Sequence, residues 1–378
     1  MSAPVYLDYN ATAPLKPAVI AAVSAALAET GNASSVHRFG RLARRTVECA
    51  RERVAALVNA PAASIVFTSG GTEANNLAVG HARAEGRRVI VSAIEHESVL
   101  RAAPEAALAP VDANGVVDLG ALERLLANAE PALVAVMLAN NETGVIQPVA
   151  EIVRLARAHG ALVHCDAAQA AGKIAVDVQA LGADTLALSA HKLGGPQGLG
   201  ALFVSDRIAL RAQLVGGGQE RGRRAGTENV AGIAGFGVAA SLATADLAQM
   251  AEIARLRDAA EARLRNIAPG TVVFGANADR LPNTICVAMP GVAAETQVMA
   301  LDLAGVAVSA GSACSSGKVK ASHVLAAMDV PPALAGSAVR ISAGWRSTAE
   351  DFDHFVEAWT ALWARLGAPR VGSVAPAA

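Results

Sequence analysis

Lys192 closes a short apolar run, Thr185-Leu186-Ala187-Leu188, and stands just before the break Gly194-Gly195-Pro196. If that run is a buried strand, the lysine emerges at its carboxyl end, where open α/β sheets gather their ligands. An amine held there, partly out of water, sheds its proton more readily and attacks carbonyls to form a Schiff base. A lone His-Lys pair on a turn is more often plain surface, so the reading rests on its surroundings. Asp166 follows the run Leu162-Val163-His164-Cys165 in the same way, which puts its carboxylate at the same edge, close to Lys192. Alone, an Asp after a strand is commonly a helix N-cap.

Three further strand ends join them. Phe67-Thr68-Ser69-Gly70-Gly71-Thr72-Glu73 is a strand, a glycine pair and a hydroxyl residue opening a helix, a geometry that suits phosphate or a plain capped helix. The sequence lacks the Gly-Lys-Ser/Thr of a P-loop, so no nucleotide is specified. His96 follows the run Val89 to Ser92, and Asn140-Asn141-Glu142-Thr143-Gly144 follows Leu133 to Leu138. An imidazole at that edge can stack on a planar ring and shuttle protons near neutral pH. His164 and Asp166 share a strand face and mimic two metal ligands, but with no third ligand in view a metal is not expected. A Schiff-base lysine beside a carboxylate that keeps a pyridine nitrogen protonated is what pyridoxal 5'-phosphate asks of a protein.

The elements that must position these groups alternate, strand and helix, from about residue 65 to 205, the signature of a largely parallel sheet with helices on both faces. The strands are Ile65 to Thr68, Val89 to Ser92, Leu133 to Leu138, Leu162 to Cys165, Thr185 to Leu188 and Ala201 to Val204. Pro148 opens a helix over Val149 to Ala158, and Asn114-Gly115 marks a tight turn. A long helix from Gln249 to Asn266 precedes sparser elements: Val272 to Phe274, Thr284 to Ala288, Glu295 to Leu303, Val306 to Val308, Val339 to Ile341 and a helix from Ala349 to Leu366. These read as a smaller α+β domain, and the chain after Gly367 as a disordered tail.

The 378 residues leave room for two domains, and 32 basic against 33 acidic side chains give no field to recruit nucleic acid or an anionic membrane. The weakly polar run Val230 to Ala245 is too short to cross a bilayer comfortably and reads as a core helix. The amino end lacks the basic-then-apolar order of a secretion signal, so a cytoplasmic location is expected. Cys49, Cys165, Cys286 and Cys314 show no Cys-x-x-Cys spacing and are expected to be reduced thiols. Cys314 alone lies among small residues, Ser309 to Gly317, as a mobile nucleophile requires.

At this point the chain resembles the cysteine desulfurases of the NifS/IscS kind, of the class V aminotransferase family. The likeness runs from Tyr6-Leu7-Asp8-Tyr9-Asn10-Ala11-Thr12 through the segments above, Arg221-Gly222-Arg223-Arg224-Ala225-Gly226-Thr227 and Ser312-Ala313-Cys314, to Val339-Arg340-Ile341-Ser342. It implies an aspartate aminotransferase-like fold, with a large domain (13–250) built on a mostly parallel seven-stranded sheet and a small one (1–12 and 251–366). Lys192 would carry pyridoxal 5'-phosphate, Asp166 pair with the ring nitrogen, Gln169 with the ring oxygen, and His96 stack above. Gly71, Thr72, Ser189 and His191 would hold the phosphate, with Thr227 reaching across a homodimer. Asn141 and Arg340 would take the substrate carboxylate, and Cys314 would receive sulfur from L-cysteine as a persulfide for a sulfur-acceptor protein such as an iron–sulfur scaffold. The short Arg-x-Gly-His-His-Cys pattern of the other desulfurase group is absent. Rival readings are a selenocysteine lyase or another class V enzyme and, more remotely, a non-catalytic module that keeps the fold to bind partners.

Overall fold

A computed structural model describes residues 4–128, 130–311 and 321–367. In chain order the strands are β1 (Val5–Tyr6), β2 (Ile65–Thr68), β3 (Arg88–Ser92), β4 (Ala107–Ala109), β5 (Ala132–Met137), β6 (Leu162–Asp166), β7 (Thr185–Ser189) and β8 (Gly200–Val204). They continue as β9 (Val272–Val273), β10 (Thr284–Ala288), β11 (Val306–Ala307), β12 (Ser309–Ala310) and β13 (Ala338–Ser342). Seven of them form one sheet in the order β2-β8-β7-β6-β5-β3-β4. Neighbours from β7 to β4 run parallel, whereas β8 runs antiparallel to both β2 and β7. The strands β5 to β8 are buried along their whole length, as expected of a sheet covered on both faces.

Because β8 alone is reversed, its amino end meets the carboxyl ends of β2 and β7: Gly200 pairs with Thr68 and with Ser189. A Cβ on Gly200 would lie 2.4 Å from the carbonyl carbon of Gly70, so only glycine lets the Gly70-Gly71 turn lie over the sheet edge. The run from Val230 forms the helix Val230–Asp246, which packs on the helices Pro17–Leu27 and Arg38–Leu57. Its small residues permit a close crossing: a Cβ on Gly237 would come within 2.7 Å of the Ala50 backbone. With Met250–Ile267 it makes a stretch long and apolar enough to cross a membrane, but Ile233, Phe236 and Ala240 are buried in the core beneath the sheet.

A second core gathers Leu7 from the amino end with Ile285, Val287, Ile341, Phe355 and Trp359. Around it stand the antiparallel sheet β12-β13-β10-β9 and the parallel pair β1-β11. The amino-terminal segment crosses back from here: Tyr9 N–H donates to the Ser342 carbonyl, and Ala13 N–H to that of His191.

Most elements fall within a residue or two of the sequence expectation. The final helix is Ala349–Leu362, followed by a wider π-helical turn Trp363–Gly367 in which Trp363 stacks on Trp359. The helices before residue 60 and the short strands β4 and β12 carried no pattern that singled them out. The expected tail after Gly367 lies outside the described residues.

Candidate active site

The carboxyl ends of β2, β3, β5, β6 and β7 open onto one cavity of about 600 Å³. Its wall includes Gly71, Thr72, His96, Asn141, Asp166, Gln169, Ser189, His191, Lys192 and Arg340. Of the residues singled out from the sequence, two are not among them. Thr227 is exposed and lines a neighbouring pocket of about 160 Å³ with Arg224 and Glu228. The strand of chain leading to it is fixed by a buried bidentate pair, Arg51 to Glu220 (2.6 and 2.9 Å), and turns through left-handed backbone at Glu220 and Arg221. Cys314 lies outside the described residues. The chain on either side is tied to the site: Ser309 Oγ donates to Asp8 (2.7 Å), Ser322 Oγ to Glu142 (2.6 Å), and His323 Nε2 to the Glu95 carbonyl (2.9 Å).

Asp166 ends β6 with one carboxylate oxygen accepting from Ala168 N–H (2.9 Å) and the other from Asn75 Nδ2 (2.8 Å). Asn75 comes from the helix Gly71–Ala84, whose amino end faces the cavity. Its Nδ2 also donates to Ser98 Oγ (2.9 Å), and its Oδ1 accepts from His164 Nε2 (2.9 Å). Thr185 Oγ1 stands 2.8 Å from His164 Nδ1, so both ring nitrogens have partners within the protein. Burial pushes His164 down to about 4, so the ring is neutral. Ser98 in turn fixes His96, whose Nδ1 accepts from Ser98 N–H (3.1 Å).

Glu95, beside His96, is fully buried. Its Oε1 accepts from Ser92 Oγ (2.5 Å) and Met137 N–H (2.6 Å), while Oε2 has no protein partner. Burial, reinforced by the charge of Asp166, raises its pKa to about 8.

Across the cavity the amine is held by backbone. Lys192 Nζ donates to the carbonyls of Asn10 (2.5 Å) and Ala11 (2.9 Å). Asn10 is a buried hub. Its carbonyl also accepts from Gln169 Nε2 (3.0 Å), its Nδ2 donates to Thr284 (2.9 Å), and its Oδ1 accepts from Lys173 Nζ (2.8 Å). Arg340, on β13, donates to Asp8 (2.7 Å) and to the Asn141 carbonyl (3.0 Å), with Nε buried and unpartnered. His191 is lowered to about 4, by burial first and then by the charges of Lys192 and Lys173.

Sequence reasoning assigned nothing to Asn75, Ser98, Asn10 or Lys173. Asn75 carried a signal: asparagine within a helix sacrifices propensity, which suggests a side-chain task. Asn10 was bracketed by Asp8 and Thr12 in a polar stretch, but nothing local tells that its partners are 131 or more residues away.

The class-V aminotransferase model matches residues 5–355. A cysteine desulfurase IscS of Dictyoglomus turgidum is 41% identical over 372 residues, covering 94% of both chains. A cysteine desulfurase of Enterobacter agglomerans is 41% identical across 96% of this chain and 93% of its own. Among solved structures, a NifS-like protein from Rickettsia africae superposes with a TM-score of 0.89 at 35% identity, covering 96% of this chain and 99% of that one. A cavity ringed by strand ends that present a lysine and an aspartate, in a chain this similar over its length, has one classification: the chain belongs to the class-V aminotransferase family, among the NifS/IscS-like cysteine desulfurases, which are pyridoxal-phosphate-dependent enzymes with the aspartate aminotransferase-like fold.

Proposed function

We propose that the enzyme converts L-cysteine to L-alanine and passes the sulfur, as a persulfide on Cys314, to an acceptor thiol. The observation that carries this reading is the facing pair of Lys192 and Asp166 in one cavity, with an unpartnered buried Nε on Arg340 in the same wall.

Three observations support the fit of the cofactor. The cavity has room for it, at about 600 Å³. The amino end of a 14-residue helix meets Gly71 and Thr72, where a Cβ on Gly71 would still clear Ser189 by 3.4 Å, so an anion can come close to the backbone. The donor set, an amine opposite a carboxylate, matches an aldehyde and a basic ring nitrogen. In this reading Lys192 carries the cofactor, Asp166 holds the proton of the ring nitrogen and Gln169 donates to the ring oxygen. Gly71, Thr72, Ser189 and His191 hold the phosphate, with Thr227 supplied by a second copy. Bound there, pyridoxal phosphate supplies an electron sink for charge at the substrate's α-carbon.

The chain's own groups do the rest. Arg340 and Asn141 hold the substrate carboxylate, for which a planar guanidinium is well matched. Lys192 Nζ takes the α-proton, steered by the two carbonyls it meets. His96, its Nδ1 committed to Ser98, stacks on the ring and carries protons through Nε2. Cys314 Sγ bonds to the substrate sulfur as the substrate's carbon–sulfur bond breaks. The bonding pair stays on carbon, which takes a proton and leaves as alanine.

The two-domain division, 13–250 against 1–12 with 251–366, the homodimer, the cytoplasmic location and an iron–sulfur scaffold as acceptor belong to the same reading. The two separate cores support the division. The test is borohydride reduction with peptide mapping, paired with Cys314→Ala. The label is expected on Lys192, and the variant is expected to keep the cofactor's colour while losing sustained sulfide release from cysteine. A label elsewhere, or a variant that turns over like the parent, would refute the assignment.

A further inference from the structure

We propose that Lys173 is a positioning residue of the active site: buried behind Lys192, it fixes which way the Gln169 amide faces and so directs that amide's N–H into the cavity. This rests on the cofactor reading above. Lys173 is 7% exposed, and its Nζ donates to Gln169 Oε1 (2.7 Å) and Asn10 Oδ1 (2.8 Å). It belongs to the loop that also carries Asp166 and Gln169, four residues beyond the glutamine. Gly172, at φ +77°, turns that loop back on itself.

A glutamine amide presents an acceptor at one end and donors at the other, and its neighbours decide which faces where. An amine is a donor to both its partners here, so Gln169 must turn Oε1 toward it. Nε2 is then forced outward. It carries two N–H groups, of which the Asn10 carbonyl takes one, and Gln169 is part of the cavity wall. With Lys173 removed, only the Asn10 carbonyl still selects this orientation, and an amide that flips presents an acceptor, in place of a donor, to an anionic ring oxygen.

The surroundings also act on the charge of this amine. Lys192, from the turn after β7, and Arg340, on β13 with Asp8 as its partner, add positive charge from two sides. Across a small cavity of about 30 Å³ stand Tyr9 and Asp246, the latter paired with Lys16. Burial first, then the charges of Lys192 and Arg340, pushes Lys173 well below the ordinary lysine value.

The experiment uses the cofactor-loaded protein and follows the visible band of the bound cofactor against pH. A donor on an oxygen that becomes more negative as a proton leaves favours that loss, so removing it moves the midpoint up. Lys173→Met is expected to raise the midpoint by about one pH unit, a tenfold change in the equilibrium. It should also lower kcat by about 10²-fold with little change in KM. Gln169→Leu is expected to give the same rise, and the double variant no more than either alone. Should Lys173→Met fail to fold, Lys173→Leu, which also lacks a donor, provides the same comparison. An unmoved midpoint in a variant that binds the cofactor, or additive shifts in the double variant, overturns the proposal. Failure of the wild-type protein to bind the cofactor or to form alanine from cysteine would instead refute the functional reading beneath it.

Discussion

On one wall of the cavity Asn10 gathers the amines of Lys192 and Lys173 and the amide of Gln169; on the other, Asn75 gathers Asp166, His164 and Ser98. The first wall is basic, with Arg340 beside it, and the second acidic, with Glu95 behind it. Each uses a neutral asparagine as its centre. Direct pairing of the charges with each other would consume both and leave nothing for a ligand, whereas amide dipoles hold them apart and in place. The walls differ in how they are fastened. Asn10 works largely through its backbone carbonyl and is itself tied to Ser342, Thr284 and Asn283, so its position has several supports. Asn75 makes these contacts through its side-chain amide alone, and it is that amide which links the three partners to one another.

The largest effect is therefore expected from the acidic wall. Asn75→Leu removes the partner of His164 Nε2–H and of one Asp166 oxygen and leaves both buried. Unpairing such groups costs about 1–3 kcal/mol each, so cofactor-free protein should unfold at clearly lower denaturant. Ser98, which holds His96, also loses its bond to Asn75, and kcat/KM is expected to fall by about 10²-fold. Denaturant titration and steady-state kinetics measure the two. A variant that matches the parent in both would mean that Asn75 is not the centre of that wall.

A smaller loss is expected on the basic wall. Arg340→Lys keeps the charge beside Asp8 but replaces a planar fork by a point charge. Substrate carboxylate binding loses a charge-assisted hydrogen bond, so KM for cysteine should rise by about 10-fold with kcat changed far less. Equal losses in kcat and kcat/KM would place Arg340 in the proton-transfer geometry and blur the distinction between the walls.

What was legible in the sequence was whatever a strand end displays. Lys192, Asp166, His96 and Asn141 each follow an apolar run, and the sheet brings them to one edge because parallel strands share a direction. The reversed strand β8 was not readable as reversed, since Ala201 to Val204 is as apolar as its neighbours. Nor were the two asparagine centres. Asn10 and Asn75 gain their meaning from partners brought near by tertiary packing; a helical asparagine hints at a side-chain task, but neither local pattern names the partners. Lys173 was hidden for a related reason: a lysine after glycine looks like solvated surface until the loop turns it inward.

The smallest effect concerns Glu95, which tests whether the acidic wall stores an electrostatic cost. Its folded pKa, raised to about 8 chiefly by burial, exceeds the roughly 4.3 of an unfolded chain. Between those values the folded state holds a proton that the unfolded state has released, so the group's contribution to stability declines as pH rises through that window and levels off above it. Glu95→Gln removes the titration but keeps the shape and the acceptor for Ser92 and Met137. The melting temperature of the variant relative to the parent should therefore climb between pH 5 and pH 8 and hold steady beyond. Melting curves that stay parallel across that range would mean that Glu95 ionises as freely inside the wall as outside it, and that the acidic wall, unlike the basic one with its depressed Lys173, is held without a titrating group under strain.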